Sequence, residues 1–327
     1  MRELWKKILH ALEAGQAVEL VTILSASGST PRGAGAVMAV FSDGGSAGTI
    51  GGGAVEYEAQ RTAAALLEQG GDDVRRFRFV PGDAASLGMV CGGDVTVQFQ
   101  FLPGGEGSCT QAVRDLAAAF SGSRDTWLLR RMEAGRVTEM RTVDRASEQV
   151  PAGLLENGPV YRDGWFSLPV VRAGKVYIFG GGHVSRALVP VIAAAEFRPV
   201  VYDDRPEFVT PEAFPQAEGL LCGPFTELSR KITVTPEDYV VIMTRGHQAD
   251  YEVLTQVLRS GAKYLGCIGS RRKLALCKDR LMAAGFTEAE YARLHAPIGL
   301  AIGAQTPAEI AVSVAAELIA VRAGVRK

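Results

Sequence analysis

Cysteine is scarce in this sequence and shows no pairing. Its 327 residues include five cysteines (Cys91, Cys109, Cys222, Cys267 and Cys277), and no two form a Cys-x-x-Cys pair. An odd count without such spacing argues against a disulfide framework and a zinc ribbon, and it fits a reducing, cytoplasmic setting. Charge of one sign is also missing. The 35 basic and 36 acidic residues leave a net charge of -1. Nucleic acid and anionic membrane surfaces therefore find no general electrostatic attraction here. Long apolar runs are absent too. The longest, around Ala187–Ala195, falls well short of the roughly 20 residues that a membrane-spanning helix needs. No signal peptide is expected, because Leu4, Trp5, Ile8, Leu9 and Leu12 recur at helical spacing among charges and predict an amphipathic helix over Met1–Gln16. Internal repeats and low-complexity tracts are not found.

What remains is an ordinary globular composition, 47% hydrophobic and 22% charged. A single core rarely grows beyond about 250–300 residues, so two domains are expected. In the N-terminal part a β-rich run over Ala17–Ser25 leads to a turn at Ser27–Gly33, then a short strand at Ala36–Phe41. Gly51-Gly52-Gly53 opens a helix over Ala54–Gln69, and strands follow at Val74–Val80 and Asp94–Leu102. These predict an α+β domain over residues 1–104, closed by the linker signal Gly104-Gly105-Glu106-Gly107. Residues 105–172 read either as a linking segment that bridges the two domains or as the completion of the first. They carry a helix near Thr110–Phe120 and strands near Thr126–Arg131, Val137–Val143 and Trp165–Val171.

From residue 173 the pattern alternates. Strands are expected at Val176–Phe179, Pro199–Tyr202, Gly219–Leu221, Tyr239–Met243 and Tyr264–Ile268. Helices are expected near Val184–Glu196, Asp250–Gly261, Arg271–Ala284 and Pro307–Arg322, the last with Thr306 as N-cap. Such alternation predicts a doubly wound parallel α/β sheet over residues 173–327.

Five segments carry chemistry. Gly180-Gly181-Gly182-His183-Val184-Ser185 leaves a strand and enters a helix, the arrangement in which glycines let a dinucleotide's pyrophosphate approach a helix N-terminus. Ser185 stands where a third glycine is usual. About twenty residues on, Asp203 closes the second strand and is the preferred ribose acceptor, with Asp204 as the alternative. Arg205 leaves the choice between NAD and NADP open. Gly51-Gly52-Gly53 is either a second anion cradle or a tight strand-to-helix turn. Cys91 in Cys91-Gly92-Gly93 is either an exposed thiol able to ligate a soft metal or carry sulfur, or a small core residue. Thr244-Arg245-Gly246-His247 follows the fourth parallel strand, where His247 can bind phosphate, donate a proton or cap a helix. Gly269-Ser270-Arg271-Arg272-Lys273 places cations on a first helical turn, against the helix dipole, which favours a bound anion.

Taken in order, these segments resemble the xanthine dehydrogenase accessory protein family of the XdhC/CoxI type. The likeness rests on Gly28–Arg32, Gly48–Glu56, Cys91–Gly93, Gly180–Arg186, Asp203–Phe208, Tyr264–Lys273 and His295–Pro307, and covers nearly the whole chain outside about Ser108–Arg172. The resemblance implies a chaperone that binds the molybdenum cofactor, as molybdopterin or its dinucleotide, and helps equip it with its terminal sulfur. It implies insertion into a molybdenum hydroxylase such as xanthine dehydrogenase, a cysteine desulfurase as a further partner, and a homodimer with a Rossmann-like C-terminal domain. Cys91 is then a candidate molybdenum contact, and Cys91 and His247 are the candidate catalytic residues. Arg245 stands where many relatives have histidine. The competing reading is an NAD(P)-dependent oxidoreductase using the same glycine loop, for which His247 is the one strong acid–base candidate.

Overall fold

The computed structural model describes residues 1–79 and 93–325. The chain divides into two units, Met1–Arg172 and Ala173–Lys327.

The first unit begins with α1 (Arg2–Glu13), which buries Leu4, Trp5, Ile8 and Leu12 along one stripe. Next come β1 (Val18–Gly28), β2 (Val37–Phe41), β3 (Ser46–Gly48), α2 (Gly53–Gln69), β4 (Asp73–Phe79) and β5 (Gly93–Leu102). The remainder is α3 (Ser108–Ala119), β6 (Thr126–Glu133), β7 (Arg136–Val143), β8 (Val160–Arg162) and β9 (Trp165–Val171). Two antiparallel sheets result, ordered β3-β2-β1-β5-β4 and β7-β6-β9-β8. Strand β1 is central and long, pairing with β5 from Val18↔Leu102 to Gly28↔Gly93 around a bulge between Ile23 and Ser25.

Both faces of the first sheet are covered, which explains the unbroken run of buried residues, Glu19 and Thr22 among them, that opens β1. Alternate residues on one face (Leu20, Leu102) pack with α1, α3 and the second sheet, through Trp5, Val113, Leu128 and Phe166. The other face (Val21, Ile23, Val97, Phe99) packs on Ala59 and Ala63 of α2. Residues 105–172 fall within this unit. They supply α3, which packs on α1, and the whole second sheet of the first unit. A polar layer lies within this core: Arg130, Thr22 and Gln98 are fully buried and Gln100 nearly so.

The second unit runs β10 (Lys175–Phe179), α4 (His183–Ala194), β11 (Arg198–Asp203), β12 (Gly219–Cys222), β13 (Tyr239–Ile242), α5 (His247–Val257), β14 (Tyr264–Cys267), α6 (Arg271–Ala283), α7 (Glu288–Tyr291), β15 (Leu294–His295) and α8 (Pro307–Arg322). Its six strands are parallel and ordered β12-β11-β10-β13-β14-β15. Counted within the unit, that is 3-2-1-4-5-6, the order of the Rossmann sheet. Helices α4 and α8 cover one face through Leu188, Ile192, Val314 and Leu318. Helices α5 and α6 cover the other through Val253, Leu254, Leu274 and Leu281. The order reverses between β10 and β13, so the crevice where such sheets bind ligands opens at the carboxyl ends of these two strands. Both α4 and α8 start at sequence-legible points: Gly182 precedes α4, and Thr306 and Glu309 form a reciprocal capping box under Pro307.

Candidate functional site

Three glycines carry the chain out of β10, and each does something different. Gly180 has φ +108°, and a Cβ there would stand 2.3 Å from the Met243 carbonyl oxygen. A Cβ on Gly181 would stand 2.1 Å from the Phe208 carbonyl oxygen. These two glycines are therefore demanded by close packing within the protein. Gly182 is the opposite case, since a Cβ there would meet nothing within 4 Å. It is the N-cap of α4, and no side chain caps that helix. The first-turn N–H groups of α4 therefore open toward free space, as a phosphate cradle requires. Ser185, in the position of the third glycine, is buried and donates its hydroxyl to the Gly180 carbonyl, so the loop is cross-braced where a glycine would leave it loose.

The acid at the end of β11 is not directed outward. Asp203 is 1% exposed, and its Oδ2 accepts the Gly181 N–H at 2.8 Å. Arg205 wraps the same carboxylate. Its backbone N–H and Nε reach Oδ1 at 3.0 and 2.9 Å, and Nη2 reaches Oδ2 at 3.1 Å. Burial acts to raise the Asp203 carboxyl, but the Arg205 side chain and the Gly181 and Arg205 N–H groups hold it below the usual carboxylate value. Four donors saturate its two oxygens, so the preferred ribose acceptor of the sequence is engaged within the protein. Asp204 is the more accessible acid. Its Oδ2 pairs with Arg245 Nη2 at 2.9 Å. The two residues border a groove of about 620 Å³ whose other walls include Gly223, Pro224, Thr226 and Gln248.

Past β13, Thr244 is buried and turned inward. Its Oγ1 lies 2.5 Å from Asp250 Oδ1, and Asp250 Oδ2 lies 2.5 Å from Lys273 Nζ. His247 is the first residue of α5 and is exposed, as is His183 at the start of α4, next to half-buried Val184. His247 lines a second cavity, of about 250 Å³, with Ser270, Arg272, Lys273, Cys277 and Arg280. Ser270 caps α6 by accepting the Lys273 N–H at 3.3 Å. A Cβ on Gly269 would touch Leu274 and Lys273, each at 3.3 Å. The structure thus gathers Gly182, His183, Asp204, Arg245, His247, Gly269 and Ser270 at the carboxyl ends of the parallel strands.

The glycine turn of the first unit is filled from within. Gly51, Gly52 and Gly53 all have positive φ, at +130°, +73° and +66°. The carboxylate of Glu56 folds back into the turn. Its Oε2 accepts the Ile50 N–H at 2.9 Å, the Gly52 N–H at 3.0 Å and the Thr49 hydroxyl at 2.5 Å. Of the two sequence readings, the tight turn is the one realised, with the chain's own carboxylate as the anion. Partial burial acts to raise the Glu56 carboxyl, but these donors hold it below the usual value. Cys91 lies outside the described residues. The other four cysteines are free thiols, and burial pushes those of Cys109, Cys267 and Cys277 up, the reverse of what a reactive thiolate needs. Among the described residues no group of three or more His, Cys, Asp and Glu side chains could hold a metal ion.

One constellation had no sequence signal. Glu317, mid-helix in α8 and 1% exposed, accepts the Tyr264 hydroxyl at 2.5 Å and the Gly299 N–H at 2.7 Å. Its other oxygen stands 3.0 Å from His295 Nδ1, and the His295 ring lies against that of Tyr264 with centroids 4.6 Å apart.

A six-stranded sheet in Rossmann order with an open glycine loop at its switch point defines the second unit as a Rossmann domain. Residues 176–318 match the XdhC Rossmann domain, and residues 11–78 match the XdhC and CoxI family. The chain belongs to the XdhC/CoxI family. It is 37% identical over 149 residues to the uncharacterized protein YqeB of Escherichia coli K12, a stretch covering 45% of this chain and 27% of that protein. It is 30% identical over 148 residues to a probable xanthine dehydrogenase subunit of Bacillus subtilis, covering 45% of this chain and 43% of that one. The matched region thus spans less than half the length of these two curated relatives. Similarity to the molybdenum cofactor insertion chaperone PaoD of Escherichia coli K12 is lower but complete, at 24% identity over 98% of this chain and 88% of PaoD. The fold also matches a crystal structure of a Bacillus halodurans protein described as a xanthine dehydrogenase, with TM-score 0.79, 23% identity and coverage of 99% of this chain and 97% of that chain.

No described helix is long and apolar enough to cross a membrane.

Proposed function

We propose that this chain is an accessory protein that binds the molybdenum cofactor, holds it while its terminal sulfur is installed, and delivers it to a molybdenum hydroxylase of the xanthine dehydrogenase type. The observation that carries the reading is that both units match XdhC-family domains while the full length is similar to a cofactor insertion chaperone.

The geometry of the second unit supports it. The uncapped start of α4 beside Gly182 suits a phosphate of the cofactor's dinucleotide form. The groove at Asp204 and Arg245 suits a ribose and base, with Asp204 accepting hydroxyl hydrogen bonds. The cavity at His247 and Ser270 carries Arg272, Lys273 and Arg280 and no lining acid, which suits a further anionic group. In this reading the chain's residues bind phosphates and orient the ligand, and the bound cofactor supplies the molybdenum centre. Cys91 would be the soft contact to molybdenum, a cysteine desulfurase the sulfur source, and the working form a cytoplasmic homodimer. The strand order and open glycine loop equally favour NAD(P), so an oxidoreductase is the second reading.

Purifying the chain from cells that make the cofactor and oxidising what co-purifies to a fluorescent pterin tests the proposal. Retained pterin, together with activation of added apo-hydroxylase, is the expected result. Turnover of NADH on a small carbonyl substrate, with no pterin bound, would replace this reading with the second.

A further inference from the structure

The last helix of the second unit is apolar on two opposite sides. Over its 16 residues α8 carries three charged side chains, and one of these, Glu317, is buried against the sheet. Ala311, Val314, Ala315 and Leu318 also face the sheet. A helix that is hydrophobic all round is normally covered all round. The far side of α8 is open. Val312 is 52% exposed and Ile319 42%, Ala308 and the C-cap Ala323 are exposed, and Ala316 is half-buried between them. At about 100° per residue these five positions fall within an arc of about 80° and form one stripe. No charge lies on that stripe, and Glu309 and Arg322 flank it on opposite edges.

Helix α4 lies alongside and extends the surface. Arg322 Nη1 donates to the Ala195 carbonyl at 2.8 Å, tying the ends of the two helices together. Val191 of α4 is 37% exposed, and Pro190 and Ala194 are exposed beside it. The opposite face of the sheet is finished differently, since α6 carries six charged residues among its 13. Single exposed aliphatic residues are ordinary, but a contiguous set on two adjacent helices marks a contact surface. The order of residues along α8 selects the partner. Reversed end to end about the point between Ala315 and Ala316, Val312 falls on Ile319, Ala308 falls on Ala323, and Ala316 meets its own copy. Large aliphatic groups then oppose each other, and alanine lets the two helices approach at the centre. A two-fold axis performs this reversal. A charged patch meeting itself would suffer like-charge repulsion, and this stripe has none to suffer.

We propose that the open face of α8 is the surface on which two copies of this chain pair, antiparallel about a two-fold axis near Ala316, with α4 of each copy widening the contact. Val312 of each copy is then covered by Ile319 of the other, twice over. Homodimer interfaces are the more apolar class of protein contact, which fits a stripe without charge. The inference rests on the homodimer of the proposed function and names its surface. It is independent of what the chain binds.

Sedimentation velocity of the whole chain across the micromolar range reads the assembly, and a dimer is expected. Val312→Lys and Ile319→Glu, each alone, put a charge into the apolar contact and are expected to weaken it about a hundredfold. Both positions are exposed in the single chain, so each variant is expected to keep the parent's circular dichroism spectrum. Combined in one chain, the two changes set each introduced lysine against the introduced glutamate of the other copy. Dimerisation is then expected to recover at least about tenfold over either single variant. Within one copy the two positions lie about 10 Å apart along the helix, too far to pair, so rescue reports contact between copies in this register. A chain that stays monomeric throughout, single variants that remain dimeric, or a double variant no better than the singles would each overturn the proposal. Retained pterin is scored on the same samples. A monomer that retains pterin overturns this surface and leaves cofactor binding standing, whereas a rescued dimer without pterin supports the surface while the cofactor reading fails.

Discussion

The Asp203 carboxylate accepts the Gly181 N–H at 2.8 Å, so the acid ending β11 holds the glycine loop that follows β10. Arg205 completes the clasp from the other side. The folded-state carboxyl lies below its ordinary value of 3.8, so its contribution is fully present above that value and is lost as pH falls through the lowered one. Asp203→Asn should cost about 1–3 kcal/mol at neutral pH and flatten the acid limb of the stability profile. Denaturant midpoints of both proteins from neutral pH into acid measure this directly. Coincident profiles would deny the clasp its role.

Gly181 and Gly182 are adjacent but should respond oppositely to a methyl group. Gly181→Ala drives Cβ into the Phe208 carbonyl, and a loss of about 1–3 kcal/mol is expected. Gly182→Ala meets open space at an ordinary φ of -75°, so stability should change by less than about 1 kcal/mol. The same Gly182→Ala protein should bind a phosphate-bearing nucleotide on the order of tenfold more weakly, because the methyl occupies the approach to α4. Thermal unfolding and nucleotide titration on both variants separate loop packing from ligand contact.

Glu317 fixes the tautomer of His295. A carboxylate can only accept, so His295 Nδ1 must carry the proton and the lone pair of the neutral ring lies on Nε2. Nitrogen NMR of the neutral imidazole should show protonated Nδ1. Glu317→Gln should lose about 1–3 kcal/mol, since the Tyr264 hydroxyl, the Gly299 N–H and His295 all converge on this buried group. An Nε2–H tautomer in the unaltered protein would contradict the assignment.

Glu19 is the converse of Asp203. It is fully buried, neither oxygen has a hydrogen-bond partner, and burial, aided by Asp72, pushes its carboxyl up to about 9 from 4.5. A raised carboxyl favours the folded state at low pH and progressively less as pH climbs from the unfolded value through the folded one. Stability should therefore decline between pH 4.5 and about 9, by roughly 3 kcal/mol at neutral pH. Glu19→Gln should remove that decline, so the variant gains on the parent as pH rises and shows no such gain near pH 4. Parallel pH profiles would show that Glu19 ionises without difficulty in the fold.

Much of the second unit was legible because its signals are local. A glycine turn after four apolar residues, an N-cap followed by proline, and short buried strands all speak within a few residues of themselves. Strands β3, β8 and β15 escaped notice because two or three residues carry no period. The membership of residues 105–172 escaped for another reason. Strand β6 pairs with β9 across an interval of some forty residues, and α3 declares its partner only by packing on α1. Arg130 was hidden because outer residues 127 and 129 are buried like inner residues 128, 130 and 132, and an exposed arginine, Arg131, follows directly, so nothing in the sequence tells which of the two turns inward. The site was legible as a set of loops but not in its hydrogen bonds. Nothing in Asp203-Asp204-Arg205 tells which acid the arginine will seize, and nothing in Gly51-Gly52-Gly53 announces that Glu56 will fold back into the turn.

The pairing of β1 with β5 has a consequence for synthesis. As the chain leaves the ribosome, β1 and β2 can zip into a hairpin early, but the other edge of β1 has no partner until residues 93–102 follow. During that interval a long strand destined for the core presents an open row of backbone donors and acceptors, the configuration that recruits neighbouring chains. Fragments ending before Gly93 should therefore aggregate where fragments reaching Arg172 stay dispersed, and a slow codon stretch just upstream of that strand would lengthen the nascent chain's dependence on chaperones.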